Sequence, residues 1–558
     1  MNRFPGKMPR EVITLQVGQA GNQIGRRFWE QALEEHCQPD EDDDHGELKF
    51  TDSMSSFFHL HDNDDLICGT ARKVRDRIVK PGALKARAVL VDMEEGPVTE
   101  TLRGPLRGLF DSHQSLTDVS GAGNNFAHGH HCYGPQYGES VLEAVRQAAE
   151  LCDSLQSFFL MHSLGGGTGS GLGTYILTLL EDDFPQVHRF VTAIFPSEDD
   201  DVVTSPYNSV LALQQLTAHA DCVLPVENQS LMTLAAPFPW VTRSGSTVAG
   251  FHRPSTMDRL LAPPCPPVGL PKEGKMRPLP RPTPTAAPAP AAAALRGAAG
   301  GLEQAAERPA CGFDGMNDLV ARLLLDLTAS MRFGGELNVD LNEITTNLVP
   351  YPRLHYLMSS LSLSSSTGTS RNNAQEWEPL GSAQAAASLH LRQICSKVFA
   401  RENQLLRADP RQGSVLACAL LFRGQELSLA DVTENVKKLQ REMNMASWNK
   451  DGFKIGLCQA TGSSSSPTSS GPPPPPSLLS LTNNSCVTST FLRLLGRFQK
   501  LYRRRAMVHH YAEYMDVTLL EEAREDLRGL IEEYHGVGAR GKAVGRRVTG
   551  CGAGSLVA

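Results

Sequence analysis

The feature that most constrains this 558-residue chain is a glycine-rich stretch from His162 to Thr174, which reads HSLGGGTGSGLGT. The apolar run 157–161 before it predicts a short buried strand, and the apolar residues of 175–180 predict a helix after it. Glycines at a strand-to-helix turn let backbone N–H groups approach a ligand, and the end of the helix adds positive potential. The pattern therefore predicts a phosphate-binding loop, with a flexible linker as the minor alternative.

Two common nucleotide-binding signatures do not fit this stretch. No Lys-Ser or Lys-Thr pair closes it, as would be expected of a P-loop. No G-x-G-x-x-G register followed by an acidic residue is present either. The second absence argues against a dinucleotide-dependent oxidoreductase, which would share the alternation of strands and helices.

Composition narrows the class of protein. A hydrophobic content of 41% and a net charge of −8 suit a soluble protein of two or three domains and argue against nucleic acid as the main partner. The twelve cysteines include no C-x-x-C pair, which favours reduced thiols over a zinc site or a disulfide framework. Because no signal peptide or membrane-length apolar run is evident, we expect a cytoplasmic protein that does not bind membranes.

Further polar or glycine-containing loops follow predicted strands in the N-terminal half. They are 18–21 after strand 12–17, Asp92 to Glu94 after strand 86–91, the Gly/Asn loop 121–127, the loop around Asp201 after strand 189–195, and Asn228 after strand 221–226. An α/β sheet presents groups to its ligand at the carboxyl ends of its strands. The sequence thus predicts a doubly wound, mostly parallel sheet, although carboxylates at a strand end can also be structural caps and loop 121–127 can be a simple helix-entry turn.

Five motifs jointly resemble the tubulin/FtsZ family of GTP-binding proteins. They are GQAGNQIG from Gly18, GAGNNFAHGH from Gly121, GGGTGSGLG from Gly165, SPYN from Ser205 and NVDLNEI from Asn338. The resemblance covers nearly the whole chain apart from two low-complexity insertions. It implies an α/β fold with a doubly wound GTP-binding domain, a central helix, a smaller mixed α/β domain and a C-terminal helical hairpin.

The corresponding domain boundaries follow from the resemblance and from shifts in composition. We expect a GTP-binding domain over 1–310, in which 243–310 is a disordered insertion rich in Pro, Ala and Gly. A central helix over 311–333 is apolar on more than one face, as expected of a helix buried between domains. An intermediate domain over 334–487 carries a second insertion at 461–478, and a helical hairpin over 488–537 precedes a disordered tail at 538–558.

The resemblance also implies roles for individual residues. GTP would be contacted by Gly18, Gln19, Ala20, Gln23, Gly123, Asn124, Gly165, Gly166, Gly167, Thr168, Gly169, Ser170, Gly171, Asp201, Asn228, Phe313 and Asn317. Mg²⁺ and its waters would be bound by Asp92 and Glu94. Phe313 would stack on the purine, although a lone aromatic residue before a helix is more often part of a core. Ser205 stands where the family usually has a glutamate beside the sugar, so the chain departs from the family pattern at that position.

Glu343 is the candidate catalytic residue. In the family, the loop carrying this position reaches the nucleotide of the next subunit along a filament, and a carboxylate there can orient an attacking water. The resemblance therefore implies GTPase activity completed in trans by a longitudinal partner. The alternative is a helix-entry carboxylate that accepts hydrogen bonds from backbone N–H groups.

Several segments resemble the epsilon class within the family, among them KARAVLVDMEEG from Lys85 and ADCVLPVENQSL from Ala220. That class implies a cytoskeletal protein of centrosomes, centrioles and basal bodies that supports centriole formation and doublet or triplet microtubules. Its partners would be other tubulins, by longitudinal contact, and centriolar proteins. The region 361–387 does not match the family's lateral-contact loop, so a GTP-bound scaffold that neither hydrolyses GTP nor polymerises is the alternative.

Overall fold

The computed structural model describes residues 10–36, 49–61, 77–78, 82–198, 200–235, 313–363, 383–424, 427–459 and 476–547. The elements of residues 10–235 are, in order, β1 (Glu11–Val17), α1 (Gly18–His36), β2 (Lys49–Phe50), β3 (Phe58–Leu60), β4 (Arg77–Ile78), β5 (Leu84–Ala86), β6 (Ala88–Asp92), α2 (Glu95–Arg103), β7 (Ser115–Thr117), α3 (Gly134–Glu150), β8 (Leu155–Ser163), α4 (Gly173–Asp183), β9 (His188–Phe195), α5 (Ser205–His219), β10 (Cys222–Glu227) and α6 (Asn228–Ala235).

The elements after residue 312 are α7 (Phe313–Arg332), α8 (Leu341–Leu348), β11 (Leu357–Leu363), α9 (Ala383–Lys397), β12 (Val415–Arg423), α10 (Leu429–Glu442), β13 (Phe453–Cys458), β14 (Ser477–Asn484), α11 (Thr488–Tyr502), α12 (Val508–Ala512) and α13 (Thr518–Arg547).

The main sheet has the strand order β10-β9-β8-β1-β6-β7, and all of its pairings are parallel. Apart from the edge strand β7, its strands are mostly buried because both faces of the sheet are covered. In β1, Val12 belongs to the core that includes α1, whereas Ile13, Leu15 and Val17 belong to the core on the opposite face. The doubly wound α/β fold expected from the sequence is confirmed.

The second sheet, in the order β11-β14-β12-β13, is mixed. β14 pairs antiparallel with both β11 and β12, whereas β12 and β13 are parallel. One face of β12 contributes Ala417, Ala419 and Leu421 to the core shared with the main sheet, and the other face packs against α9 and α10.

Helix α7 lies between the two sheets and is buried on nearly every side from Leu319 to Met331. A network of buried charged side chains links α7 to α1 and to β12. Arg423 of β12 donates to Glu35 of α1 at 2.8 Å and to Asp326 of α7 at 3.0 Å, and Arg332 of α7 donates to Glu35 at 2.9 Å. These groups are almost fully buried, so the network fixes the first domain, the central helix and the second sheet to one another.

The C-terminal helices pack on α5. Tyr207 of α5 makes edge-to-face contacts with Phe498 and Tyr511, and its hydroxyl donates to the carbonyl oxygen of Ala506 at 2.9 Å. The last helix continues to Arg547, so the boundary drawn at residue 537 falls inside it. Ala, Arg and Lys are frequent over 539–547, and their helix propensity accounts for the extension.

Other sequence expectations fall at the edges of the described ranges or beyond them. The insertion 243–310 and residues 364–382 of the lateral-loop region lie outside the described residues. Most of the insertion expected at 461–478 also lies outside them, but its last two residues begin β14. Within the described ranges, no helix combines the length and apolar character needed to cross a bilayer.

Candidate functional site

A cleft of about 330 Å³ opens at the carboxyl ends of the main-sheet strands. It contains the sequence-predicted residues Gly18, Gln19, Ala20, Gln23, Asp92, Glu94, Asn124, Gly165, Gly166, Gly167, Thr168, Gly169, Asn228, Phe313 and Asn317. These residues come from the loops after β1, β6, β8 and β10, from loop 121–127 and from the start of α7. The cleft spans the point between β1 and β8 at which the strand order of the sheet reverses its direction. Open α/β sheets bind their ligands at such a topological switch point.

The loops after β1 and β8 meet at their glycines. Gly18 has a φ of +73°, and a Cβ built there would lie 3.1 Å from the amide nitrogen of Gly169. A Cβ at Gly169 would lie 2.9 Å from the carbonyl oxygen of Ser163. A side chain at Gly18 would therefore force the two loops apart, and one at Gly169 would push the glycine loop away from the end of β8.

A buried histidine beneath the glycine loop holds it in place. Nδ1 of His162 lies 2.8 Å from the carbonyl oxygen of Gly169. Burial lowers the pKa of His162 to about 4, so the ring is neutral at pH 7 and Nδ1–H donates this hydrogen bond. The Ser170 side chain donates to the carbonyl oxygen of Gly166. The loop thus keeps its shape through hydrogen bonds that leave its cleft-facing N–H groups to a ligand.

Asn208 of α5 connects the glycine loop with loop 121–127. Its amide nitrogen donates to the carbonyl oxygens of Gly165 at 2.7 Å and Asn124 at 2.8 Å, and its Oδ1 accepts from the amide of Phe126 at 3.0 Å. Asn124 adopts a φ of 53°, a left-handed conformation that costs energy outside glycine. Asn208 stabilises this conformation, which places Asn124 at the cleft.

Asp92 and Glu94 form the acidic part of the cleft. Asp92 is buried, its Oδ1 accepts from the amide of Glu94 at 3.3 Å, and its Oδ2 has no hydrogen-bond partner in the described part of the chain. Burial, with a smaller contribution from the Glu94 carboxylate, raises the pKa of Asp92 to about 7. An unpartnered buried carboxylate oxygen fits a divalent cation, and Mg²⁺ commonly takes one or two protein carboxylates together with phosphate oxygens and water.

The opposite end of the cleft carries amide groups and one aromatic ring. Asn228 begins α6, Asn317 lies in the first turns of α7, and Gln23 reaches in from α1. The Phe313 ring is 69% exposed, so its face is available to a planar ligand. Amides can both donate and accept hydrogen bonds, as the polar edge of a purine requires.

Four of the predicted ligand contacts do not line the cleft: Gly123, Ser170, Gly171 and Asp201. The Ser170 hydroxyl is occupied by the carbonyl oxygen of Gly166. Gly171 packs against loop 121–127, because a Cβ there would lie 2.4 Å from the carbonyl oxygen of Phe126. Asp201 is exposed, and the adjacent Asp200 lines the cleft instead.

The comparisons with known proteins agree with this geometry. Residues 11–236 match the model of the Tubulin/FtsZ family, GTPase domain, and residues 352–496 match the Tubulin C-terminal domain. The tubulin epsilon chain of Mus musculus is 41% identical over 531 residues, which covers 94% of this chain and 95% of that protein.

The chain belongs to the tubulin family. The human tubulin epsilon chain is 42% identical over 537 residues, with 94% of this chain and 95% of the relative covered. The tubulin alpha-1 chain of Saccharomyces cerevisiae is 30% identical over 540 residues, with 95% and 98% covered. Membership of the tubulin family implies a cytoskeletal protein that binds GTP and interacts with other tubulins.

Glu343 lies outside the cleft of its own chain, near the start of α8. The alternative role for Glu343 was to accept a hydrogen bond from a backbone N–H group at the helix entry. Asp340 fills this role instead, because its Oδ1 accepts from the amide of Glu343 at 2.8 Å. Oε2 of Glu343 instead lies 2.6 Å from the ammonium nitrogen of Lys454, in an ion pair whose side chains are 43% and 29% exposed.

Sequence reasoning missed three polar residues that shape the tubulin-family cleft: Ser163, Asp200 and Asn208. Ser163 ends β8 and lines the cleft beside Gly166 and Gly169. Asn208 belongs to the SPYN motif but does not line the cleft, so its anchoring role was not evident. The available signal was an amide just before the apolar residues 210–213 of a predicted helix, because an amide that becomes buried there must find hydrogen-bond partners.

Proposed function

We propose that this tubulin-family protein binds GTP together with Mg²⁺ in the cleft, with its phosphates at 165–169 and its guanine at Asn228, Phe313 and Asn317. The observation that carries the proposal is the convergence of two glycine loops, the unpartnered oxygen of Asp92 and two asparagine amides on one cleft. Backbone N–H groups and a helix end suit phosphate, and amide groups suit a purine edge.

Each group has a distinct task in this arrangement. The glycine loop would donate hydrogen bonds to phosphate oxygens, Asn124 would add a neutral donor, and Gln19, which lines the cleft, would contact the phosphates and the cation. Asp92 and Glu94 hold the cation, which when bound neutralises negative charge on the phosphates. Glu343 acts on the nucleotide of a longitudinally adjacent tubulin, where its carboxylate orients water.

At the level of the cell, we propose a role in centrioles and basal bodies, in support of centriole formation and doublet or triplet microtubules. The support for this is the similarity to tubulin epsilon chains over 94% of the sequence. Its partners would be other tubulins and centriolar proteins. Tagged protein should be enriched at centrioles; an even distribution along cytoplasmic microtubules would contradict the proposal.

A GTP-bound scaffold that neither hydrolyses GTP nor polymerises is the second candidate. The observation in its favour is the ion pair between Glu343 and Lys454, which occupies the carboxylate that longitudinal contact would bring to the nucleotide of an adjacent tubulin. Chromatography of the nucleotide released on denaturation tests the main proposal: bound GTP or GDP supports it, and protein free of guanine nucleotide that also binds none contradicts it. Hydrolysis on longitudinal assembly, measured as phosphate release, separates the two candidates.

A further inference from the structure

The end of β10 is attached to the C-terminal half of the chain through Glu227. This buried residue is the last of β10 and immediately precedes Asn228, which lines the cleft. The amide of Glu227 donates to the carbonyl oxygen of Leu405 at 2.9 Å, and its Oε2 accepts from the amide of Arg407 at 3.1 Å. Both the backbone and the side chain of Glu227 therefore hold the strand end that carries Asn228.

Arg493 of α11 completes this attachment. Its Nη2 donates to Oε2 of Glu227 at 3.1 Å, to the carbonyl oxygen of Arg407 at 3.2 Å and to the hydroxyl of Thr490 at 3.0 Å. The Glu227 side chain is only 4% exposed, whereas that of Arg493 is 31% exposed. A buried carboxylate is costly unless it is paired and hydrogen-bonded, so the guanidinium of Arg493 offsets the burial of Glu227.

Arg497, one turn further along α11, contacts a different part of the cleft's surroundings. Its Nη1 donates to the carbonyl oxygen of Ser197 at 2.7 Å, in the loop after β9. Pro196, the preceding residue of that loop, lines the cleft. Residues 493 and 497 are four positions apart and lie on one face of the helix. One face of α11 thus holds both the end of β10 and the loop after β9.

We propose that Arg493 is a positioning residue for the base-binding end of the cleft, because through Glu227 it fixes the orientation of Asn228. The proposal rests on the GTP-binding function proposed above and adds a residue on which binding of the guanine depends. Arg493 does not line the cleft, so it acts on the nucleotide only through its neighbours. Nucleotide affinity is thereby coupled to α11, a helix of the C-terminal half of the chain.

The test is a double-mutant cycle between Arg493 and Asn228, with the affinity of the full chain for GTP and Mg²⁺ as the readout. Arg493→Met removes the guanidinium and keeps much of the side-chain length, and Asn228→Ala removes the amide at the cleft. Residues that act through one network have effects that do not add. We expect Arg493→Met to weaken GTP binding by about fivefold in the parent but by less than about twofold in Asn228→Ala.

Three further variants distinguish positioning from a general loss of structure. Arg497→Met should weaken GTP binding by the same factor in the parent and in Asn228→Ala, because Arg497 contacts the loop after β9. Arg528→Met removes an arginine of α13 that pairs with Glu525, and it should leave GTP affinity unchanged. Arg493→Lys, which keeps the positive charge, should restore most of the affinity that Arg493→Met loses.

The outcomes separate the positioning role from the proposed function. If the parent binds no guanine nucleotide, the proposed function fails and the positioning role fails with it. Parent-like GTP affinity in Asn228→Ala would contradict the placement of guanine and the positioning role together. If Asn228→Ala weakens binding but Arg493→Met has no effect, or the same effect in both backgrounds, only the positioning role is overturned. Glu227→Gln provides the same cycle should Arg493→Met not fold.

Discussion

The hydroxyl of Tyr511 donates a hydrogen bond to Oδ1 of Asn208, which in turn anchors both loops at the phosphate end of the cleft. The C-terminal helices are therefore in direct contact with a residue that anchors the loops we propose to bind GTP. A second contact runs in parallel, because the side-chain amide of Asn125 donates to the carbonyl oxygen of His510 at 2.8 Å. The outer surface formed by these helices is thus linked to the cleft through two hydrogen bonds.

The first prediction concerns this link. Tyr511→Phe removes one hydrogen bond, worth about 1 kcal/mol, and should weaken GTP binding by about fivefold because Asn208 is held less firmly. Tyr207→Phe is the matched control, since its hydroxyl bonds to the carbonyl oxygen of Ala506 and to no nucleotide loop. Equal GTP affinities for the two variants in a titration would contradict the link.

The second prediction concerns Glu343. Glu343→Gln should leave the chain's own GTP affinity unchanged within about twofold, because the residue and its partly exposed ion pair with Lys454 lie outside the cleft. Hydrolysis of the GTP bound by the longitudinally adjacent tubulin should fall by about a hundredfold, which is the usual effect of losing a general base. Rapid phosphate release by a verified monomer, unaffected by Glu343→Gln, would exclude catalysis in trans.

The third prediction concerns the charged network at the central helix. Burial alone would raise the pKa of Glu35, but Arg332 and Arg423 lower it to about 2. Arg423→Leu removes one of the two buried arginines that pair with Glu35 and leaves Asp326 to Arg322 alone, so it should cost about 3 kcal/mol of stability. Arg353→Leu, which breaks an exposed pair with Glu533, should cost less than about 1 kcal/mol. Similar unfolding midpoints for the two variants would show that the network does not join the domains.

The fourth prediction is a pH dependence that arises from His162. Its folded pKa of about 4 lies below the ordinary value of 6.5, so the unfolded chain takes up the proton first as pH falls. Stability from this residue is therefore present above pH 6.5 and is lost between pH 6.5 and 4. His162→Gln should reduce the slope of unfolding free energy against pH by about 1.4 kcal/mol per unit near pH 5. An unchanged slope would mean that this ring is not buried in its neutral form.

Much of the fold could be predicted from the sequence because the parallel strands and their glycine turns have strong local signals. Runs such as 12–17 and 189–195 are mostly apolar and rich in β-branched residues because both faces of the sheet are covered. The loop positions that carry backbone donors were also identifiable, since glycine at these turns has a local steric reason. The limits of α13 were less evident, because helix propensity in its last turns competes with a glycine-rich composition.

Side chains whose roles depend on contacts between distant segments could not be predicted from the sequence in the same way. The choice between Asp200 and Asp201 depends on how the loop after β9 turns over Gly165, and neighbouring aspartates look alike in sequence. The role of Asn208 depends on carbonyl oxygens 43 and 84 residues away along the chain. The Glu343–Lys454 pair joins α8 to β13 across more than a hundred residues, so its existence follows from tertiary packing alone.

The most direct test of the account is the GTP affinity of Gly166→Val in the presence of Mg²⁺. A Cβ at Gly166 would meet only Ser163 Oγ at 3.6 Å and Asn124 Oδ1 at 3.8 Å, both ordinary van der Waals contacts, so the loop has room for a Cβ at this position. At Gly169, by contrast, a valine would collide with the backbone of Ser163 and could unfold the loop. Gly529→Val is the control, because a Cβ there meets nothing within 4 Å and lies on the last helix.

Calorimetric titration with GTP and Mg²⁺ should give tight binding for the parent and for Gly529→Val. Gly166→Val, folded as judged by its unfolding midpoint, should bind at least tenfold more weakly, because the valine side chain displaces the phosphates from the backbone donors. Parent-like affinity in Gly166→Val would contradict the central claim that this glycine loop binds the phosphates of GTP.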